Sequence, residues 1–588
     1  MKRRIITLHL YAFALLLVSF GSCRKIELEG FSPQDPEISF SQQELRVANE
    51  VDTIEVDVQA NLPWRIKSDA NWITLIKANG TAGEKAKIAI QRNRTVTERT
   101  ATIIAYITSD AQSEILLVQN AGDPLPDITR HFYVKATAIA ANDGLSWTNA
   151  TTLDAALDNA VSGDIIHVAA GTYVPGQMIT GGTVSEDKTF EISQNVQLVG
   201  GYPASATNGA VPDPAVNKTI LSGQMGSGQA YHVVAVTAPK ATDKKVVING
   251  FTIEKGRAHT TNTTISINGT AVSKAYGGGV IVAGSQVEFN KVIISDNESG
   301  LHAAGMFITG SAHVTLKSSA VRNNTGLTLT SNAGGIWNDG SELYMYDSEI
   351  TGNKTGGVAG GLYAINTGRT TFNYLFNVTI ANNEVGSTGN TARTGAGIYA
   401  RERSRFVIVN STIYGNKNNG TAFGAGISLY GVSSMDLVSS TVSANSGGEG
   451  NTATVGGSGI YNNPAHVNVL NIYNSIISGN IGSQKEVGGT HSPKSSVIGN
   501  EVFSANGDLV SGQSFDASTG FGSFGNYGGF AETLPLNNTV NAAVSGGMST
   551  LQLQILASNL ALDHTYFVID QNNKTRSGKT VMGAALPQ

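Results

Sequence analysis

Two short phrases recur in the same order through the middle of the chain and define a repeat of about thirty residues. The first is a pair of small residues followed by an apolar and usually an aromatic residue, as in Gly334-Gly335-Ile336-Trp337. Its second small residue is Gly279, Gly305, Gly335, Gly361, Gly397, Gly426 and Gly459. The second phrase ends at Asn297, Asn324, Asn353, Asn383, Asn416, Asn445 and Asn480. A fixed period of this length indicates stacked units, none of which can bury its apolar face alone.

The repeating unit is built from strands. Short alternating runs such as Val314-Thr315-Leu316 lie between Gly, Asn, Ser and Thr, and helical patterning is missing from them. Coils stacked at roughly 4.8 Å predict a right-handed parallel β-helix. We expect its asparagines to form one file along the axis, where Asn tolerates the left-handed turn conformation and each amide bonds to the next. The glycines would supply positive φ angles or close backbone approach at a corner.

Composition agrees with an all-β chain. Charged residues make up 14% of the sequence, and 68 of 588 residues are glycine, but only 14 are proline. These proportions are typical of a Gly/Asn/Ser/Thr-rich β protein and not of a disordered one. The net charge of -5 gives no reason to expect nucleic acid as a partner.

The N-terminus has the pattern of a secretory signal peptide over residues 1–22. Lys2-Arg3-Arg4 precede an apolar run that is too short for a spanning helix, and Gly21-Ser22-Cys23 follows. This ending resembles a bacterial lipobox, which implies acylation of Cys23 and a membrane anchor. Because Cys23 is the only cysteine, the alternatives are an incidental thiol or an intermolecular disulfide. Residues 23–36 are predicted to form a tether.

Residues 37–122 alternate as strands do and predict a small β-sandwich. Pro63-Trp64-Arg65-Ile66, Asn71-Trp72-Ile73 and Val118-Gln119-Asn120 resemble the BACON domain of Bacteroidetes cell-envelope proteins. Such domains are associated with carbohydrate-active proteins, and many act as spacers. Trp64 and Trp72 are either sugar platforms or core residues, and in a small sandwich the core is favoured.

A linker over 123–130 leads to the β-helix, predicted over 131–480. Leu153, Ala156 and Leu157 have helical spacing and predict a short helix that covers the open first coil. Residues 164–173, Asp-Ile-Ile-His-Val-Ala-Ala-Gly-Thr-Tyr, resemble the first coil of pectate-lyase-like right-handed β-helix proteins. Residues 481–588 comprise the last coils and a C-terminal cap that resembles that of choice-of-anchor envelope proteins.

Alternation predicts a binding site on the outside of the coils. If Ile336 and its equivalents point inward, the following residue of each coil points outward. The predicted aromatic column then contains Phe307, Trp337, Tyr363, Tyr399 and Tyr461, with Asp339 and Arg401 in a neighbouring column. Such a stripe suits an extended glycan, whose sugars repeat at a similar length. The alternative is an internal stack, or one covered by an insertion at 257–276.

No catalytic motif stands out. Resemblance to pectate lyases and polygalacturonases would imply clustered carboxylates, but the coils contain no Gly-His-Gly, no Asp-Asp pair and no acidic cluster. Asp347 and Glu349 share a predicted strand face, which is thin support for acid-base chemistry. The ten histidines have no ligand spacing, so neither a metal nor a cofactor is predicted.

The sequence therefore predicts a small β-sandwich followed by a right-handed parallel β-helix with an N-terminal capping helix. The protein is predicted to be an outer-membrane lipoprotein of the cell envelope. Its predicted function is to bind extended polysaccharide without catalysis. A polysaccharide lyase or glycoside hydrolase is the second hypothesis. A surface adhesin or scaffold is the third, because the Gly-Gly-apolar repeat resembles that of polymorphic outer-membrane adhesins.

Overall fold

The computed structural model describes residues 34–50, 52–93, 95–122, 129–226, 228–259, 263–366, 368–386, 394–447, 456–537, 546–576 and 581–587. The chain divides into two compact units, Met1–Asp127 and Ile128–Gln588. The predicted signal peptide, Cys23 and most of the predicted linker lie outside the described residues. Within the described part of the chain, no helix is long and apolar enough to cross a bilayer.

The first unit is a β-sandwich. One sheet has the strand order Ile38–Phe40, Asp52–Ala60, Lys85–Ile90, Ile73–Lys77. The other has the order Glu44–Val47, Gln112–Gln119, Arg99–Tyr106, Trp64–Ser68, Asn79–Gly80. Trp64 is 1% exposed and Trp72 is 9% exposed, and both belong to the core between the sheets. The two tryptophans are therefore core residues and not sugar platforms.

The second unit is a parallel β-helix whose walls are three long sheets. We number them 1, 2 and 3 in the order in which the chain passes through them in each regular coil. Sheet 1 contains His131–Val134, Ile165–Ala169, Gln197–Tyr202, Val246–Asn249, Gln286–Asn290, His313–Lys317, Glu342–Tyr346, Thr371–Phe376, Ser404–Val409, Ser434–Val438, Val469–Tyr473 and Ser492–Lys494. Sheet 2 contains Gly171–Tyr173, Thr219–Ser222, Phe251–Glu254, Ile293–Ser295, Ala320–Arg322, Glu349–Thr351, Thr379–Ala381, Thr412–Tyr414, Thr441–Ser443, Ile476–Ile477, Ser496–Ile498, Glu501–Phe503 and Leu509–Ser514. All of these strands pair in parallel except the last two of sheet 2.

Sheets 3 and 4 complete each coil. Sheet 3 contains Phe190–Ile192, Val234–Val236, Val280–Ala283, Met306–Thr309, Ile336–Asp339, Leu362–Ile365, Ile398–Ala400, Ile427–Leu429, Ile460–Asn462 and Val487–Gly488. The short sheet 4 contains Arg257–Ala258, Glu298–Ser299, Thr325–Gly326, Lys354–Thr355, Glu384–Val385 and Lys417–Asn418. Two small hairpins, Gln224–Met225 with Gly228–Gln229 and Thr264–Ile267 with Thr270–Ser273, project from the coils. The insertion predicted at 257–276 thus contains the second hairpin.

The interior is a continuous file of Val, Ile, Leu, Met and Phe. Its N-terminal end is covered by the helix Leu153–Asn159, which begins where the Thr152 hydroxyl accepts a hydrogen bond from the backbone N–H of Ala155. Leu153, Ala156 and Leu157 join the core, so the predicted capping helix is confirmed. Two further short helices, Ala517–Gly520 and Thr550–Asn559, and the 3-10 turns Ser185–Asp187 and Thr565–Phe567 lie outside the coils.

The asparagines form one file, as predicted. The Asn353 amide donates to Asn383 Oδ1 at 3.0 Å, and the Asn383 amide donates to Asn416 Oδ1 at 2.9 Å. The predicted left-handed conformation is wrong for these residues, because the residue before each asparagine makes the corner. Asn323 and Asn382, for example, have φ values of 57° and 56°. Asparagine is instead required at the ladder position for its buried amide group, which hydrogen-bonds both to backbone groups of the turn and to the asparagine of the neighbouring coil.

The repeated glycines are required for close approach and not for positive φ. None of the seven has a positive φ. A Cβ added to Gly361 would lie 2.5 Å from the carbonyl oxygen of Gly397 in the next coil, and the same contact recurs at Gly335 and Gly397. Coils at the sheet spacing leave no room for a side chain at this corner.

We therefore expect Gly361→Ala to lower the free energy of unfolding by about 1–3 kcal/mol, because the new methyl group must push two coils apart. Thermal or urea unfolding followed by circular dichroism would measure the change. Gly368→Ala is the matched control, since a Cβ there meets only Asn366 Oδ1 at 3.4 Å. Equal stabilities of the two variants would contradict the close-approach explanation.

The described residues of the C-terminal cap, 515–537, 546–576 and 581–587, do more than close the last coil, because they return along the outside of the solenoid. Leu553 and Leu556 of the helix Thr550–Asn559 pack with Phe376, Val409 and Val438 on the outer face of sheet 1. On sheet 2, the side chain of Gln571 bonds to those of Thr379 and Thr412. The cap therefore covers the edge of sheet 1 that contains Phe376, Val409 and Val438, and leaves residues such as Tyr344 half-exposed.

Candidate functional site

The predicted aromatic column exists on the outer face of sheet 3. Parallel pairing places Phe307 beside Trp337, Trp337 beside Tyr363, and Tyr363 beside Tyr399. The rings of Tyr363 and Tyr399 are stacked with centroids 5.2 Å apart. Ser428 follows in the same column, and then Tyr461. The one-residue-per-coil register is thus as the repeat predicted.

Most of this column is covered. Phe307, Tyr363 and Tyr399 are only 5%, 3% and 6% exposed, so the prediction of accessible ring faces is wrong at these three residues. The hairpin Thr264–Ile267 with Thr270–Ser273 packs its apolar side chains around Phe307. The covering insertion that was the alternative explanation therefore holds for this end of the column.

Two residues of the column remain half-exposed, Trp337 between Phe307 and Tyr363 and Tyr461 at the C-terminal end. Nearby, the Asn366 amide donates to Asp339 Oδ1 at 2.7 Å. Arg401 is exposed and lies beside Tyr363, where its charge partly opposes the rise that burial causes in the pKa of that phenol. Of the predicted binding residues, Trp337, Tyr461, Asp339 and Arg401 are thus the ones that a ligand can reach.

A more open aromatic surface lies on sheet 1, beside the C-terminal cap. We define the sheet 1 track as eight outward residues of two adjacent columns, His313, Thr315, Glu342, Tyr344, Phe372, Tyr374, Arg405 and Asp436. Val407, which lies between Tyr374 and Asp436 in the same column, is buried and is not part of the track. Register places Thr315, Tyr344 and Tyr374 one above the other. Every residue of the sheet 1 track except Asp436 is half-buried, with one side against the sheet and the other toward solvent.

Rings stack along the sheet 1 track at the spacing of the coils. His313 and Tyr344 have centroids 4.9 Å apart, and Tyr344 and Tyr374 have centroids 4.8 Å apart. Since these faces contact each other, the stack presents ring edges and phenol hydroxyls to solvent. Burial raises the pKa of Tyr344 to about 12 and also raises the pKa of Tyr374, so both hydroxyls remain neutral donors at ordinary pH.

A groove of about 500 Å³ opens at the N-terminal end of the sheet 1 track. Glu288 accepts from Lys245 at 2.7 Å and from Lys317 at 3.1 Å. His313 and Glu342 are paired at 2.8 Å. On the far side, Tyr566 of the cap forms a wall. Groups of both charges line the groove without an excess of either, which suits a neutral polyhydroxylated ligand.

Alternation along the strands of sheet 1 is the sequence signal for this surface. Tyr344 and Tyr346 alternate about Met345, and Phe372 and Tyr374 alternate about Asn373, so parity alone places these rings outside. Which outward rings are open depends on the cap. Tyr346 packs against Tyr566 with ring centroids 5.5 Å apart, and Tyr374 also packs against the cap but stays half-exposed, whereas Tyr344 is not part of this cluster.

Acidic residues do not converge as the shared strand face of Asp347 and Glu349 suggested. Asp347 has a φ of 46° and lies at the corner between sheets 1 and 2. It lines the sheet 1 groove, while Glu349 lines a separate groove on sheet 2. Among the residues that the structure describes, no three His, Cys, Asp or Glu side chains are grouped so that they could hold a metal ion.

Comparison with known proteins identifies the first unit. Residues 37–121 match the family described as Viral BACON domain. No curated protein matches the chain. Among solved structures, the pectate lyase Pel9A is 12% identical with a TM-score of 0.44, over 78% of this chain and 97% of that one. A Bacteroides ovatus GH5 xyloglucanase in complex with a XXXG heptasaccharide is 15% identical with a TM-score of 0.14, over 28% of this chain and 45% of that one.

Proposed function

We propose that this chain, a BACON domain followed by a parallel β-helix, binds an extended polysaccharide along the sheet 1 track without catalysing a reaction on it. The observation that carries the proposal is the stack of His313, Tyr344 and Tyr374 beside an open groove. Hydroxyl and aromatic edges recur there at roughly 4.8 Å, close to the repeat of an extended glycan. A regular ligand can therefore make the same contact in successive coils.

The charges of the groove favour a neutral glycan. Lys245 and Lys317 share the carboxylate of Glu288, so both lysine cations are already paired, and His313 contacts Glu342 at 2.8 Å. These paired groups are suited to accept and donate hydrogen bonds to sugar hydroxyls. The half-exposed Trp337 and Tyr461, with Asp339 and Arg401, form a second contact surface of the proposal on sheet 3.

A glycan array probed with soluble protein from Gly30 onward tests this function. We expect neutral extended polysaccharides to bind. Hydrogen exchange on the complex should then protect peptides that contain Tyr344 and Tyr374 more than peptides that contain Trp337. Protection at Trp337 and Tyr461 alone would move the site to sheet 3. Absence of binding to every glycan would contradict the proposal and favour an adhesin or scaffold.

A glycoside hydrolase is the second candidate, because one groove combines acidic and basic groups. This groove of about 610 Å³ on sheet 2 contains Glu349, Arg322 and Glu532. Burial raises the pKa of Glu349, Glu532 adds to the rise, and Arg322 at 3.6 Å opposes it. A carboxyl group with a raised pKa next to a second carboxylate is the arrangement that general acid-base hydrolysis requires. Release of reducing ends that Glu349→Gln abolishes would favour hydrolysis over binding.

The location of the protein is a further part of the proposal. Signal cleavage before Cys23 and acylation of that residue would anchor the chain in the outer membrane of a cell envelope. Mass spectrometry of the mature N-terminal peptide tests this directly. A Cys23→Ser variant should then appear in the soluble fraction, and an unmodified Cys23 would contradict lipid anchoring.

A further inference from the structure

A pair of histidines faces each other on the outer surface of the first coils, far along the chain from the sheet 1 track. His131 and His167 lie in the first two strands of sheet 1, where Tyr133 pairs with His167. Nδ1 of His131 is 2.8 Å from Nε2 of His167. The two nitrogens therefore face each other.

The ring geometry shows how the nitrogens are aimed. The ring centroids are 5.2 Å apart and the ring planes differ by only 10°. The centroid separation equals the distance between the two nitrogens plus the distance from each nitrogen to its own ring centre. The two centroids and the two nitrogens therefore lie on one line, and the rings lie side by side in nearly one plane. The in-plane lone pair of one nitrogen is thus directed at the other, and only one proton fits between them.

His167 is held in place by its other neighbours. Its Nδ1 is 2.8 Å from the hydroxyl of Tyr202, and its ring stacks on Tyr133 with centroids 5.1 Å apart. Trp147 packs against Tyr133 and Tyr202, with ring centroids 4.9 and 5.2 Å away. An imidazole whose second nitrogen is hydrogen-bonded has a defined orientation, as metal-binding histidines usually have. His131 is exposed and leaves the outer side of the pair open to solvent.

We propose that His131 and His167 together bind a late divalent transition metal, Cu²⁺ more tightly than Zn²⁺, with water in the remaining positions. Two imidazole nitrogens at about 2.0–2.1 Å from one metal, with an angle of about 90–110° between them, are about 2.9–3.4 Å apart. At 2.8 Å the two nitrogens face each other along one line, so metal binding requires the exposed His131 ring to rotate until its Nδ1 lies about 2 Å to the side of the His167 lone-pair axis. Imidazole is a preferred ligand of both metals, and Cu²⁺ has the higher affinity in the general order.

Titration of CuSO₄ and then ZnSO₄ into untagged protein from Gly30 onward tests the site. Wild-type protein should bind one Cu²⁺ that neither His131→Ala nor His167→Gln binds, and the Zn²⁺ affinity should be lower. Binding should quench the emission of Trp147, and Trp147→Phe should remove that quenching. Tyr202→Phe, which keeps both ligands, should weaken binding about 10-fold through loss of the second hydrogen bond.

His466→Ala is the matched control, because His466 is an exposed histidine elsewhere on the solenoid and should leave binding unchanged. Circular dichroism would verify that each variant remains folded. If wild-type protein binds no Cu²⁺, or if His131→Ala and His167→Gln bind as many ions as wild type with the same affinity, the proposed site does not exist. Glycan binding by the sheet 1 track is independent of either outcome.

Discussion

Replacing Arg576 with alanine is expected to lower the stability of the C-terminal cap by about 3–5 kcal/mol. Arg576 is 1% exposed, and its guanidinium donates to the carbonyl groups of Ile569, Val581, Gly583 and Ala584. Alanine would leave these acceptors buried and unpaired. The cap would also lose one of its attachments to the solenoid, because the same guanidinium reaches Oδ1 of Asn410 in the coils at 3.3 Å.

Hydrogen exchange measured by mass spectrometry would detect this local loss in peptides from the helix Thr550–Asn559 without requiring global unfolding. Arg576→Lys should be intermediate, because lysine keeps the charge but not the planar set of donors. Arg369→Ala replaces an exposed arginine and should leave the cap protected. Unchanged protection in Arg576→Ala would show that the apolar contacts of Leu553 and Leu556 hold the cap by themselves.

The double substitution of Tyr344 and Tyr374 by alanine is expected to weaken polysaccharide binding at least about 100-fold, or about 2.8 kcal/mol. Both rings belong to one stack, so their removal deletes two successive contacts of a repeating ligand. Each single variant should lose about 10-fold, since aromatic anchors dominate the energy of a binding surface. Calorimetry with the tightest ligand from the array would measure the change.

Tyr461→Ala is the matched control for the sheet 1 track. Tyr461 is also half-buried and also belongs to an outward column, but it lies on sheet 3. Because sheet 3 is only the second contact surface of the proposal, we expect Tyr461→Ala to weaken binding by much less than the double variant does. If Tyr461→Ala loses binding and the double variant of Tyr344 and Tyr374 does not, the glycan lies on sheet 3. Thermal unfolding of all variants would separate loss of affinity from loss of structure.

Predictions from the sequence succeeded where they depended on local repetition. The spacing of Asn353, Asn383 and Asn416 predicted touching amides, and the coils place them in hydrogen-bond contact. The same spacing predicted that Trp337 and Tyr363 are neighbours. They failed where one segment covers another. The hairpin Thr264–Ile267 with Thr270–Ser273 buries Phe307. A thirty-residue repeat does not predict which surface an insertion will cover.

The amino-acid sequence by itself determined the solenoid, because each coil needs the same residue types at the same positions in order to pack on the coils next to it. Inward apolar residues, corner glycines and ladder asparagines recur at each turn, and each satisfies a contact that is local after stacking. Only the tertiary structure decided which outward surface is free. The cap contacts sheet 1 across well over a hundred residues of chain, as between Asn410 and Ile569, and such a contact has no periodic signature. The half-exposure of Tyr344 and the burial of Phe307 follow from such long-range contacts, whereas Tyr363 and Tyr399 are buried by Ala333, Ala359 and Tyr430 of neighbouring coils.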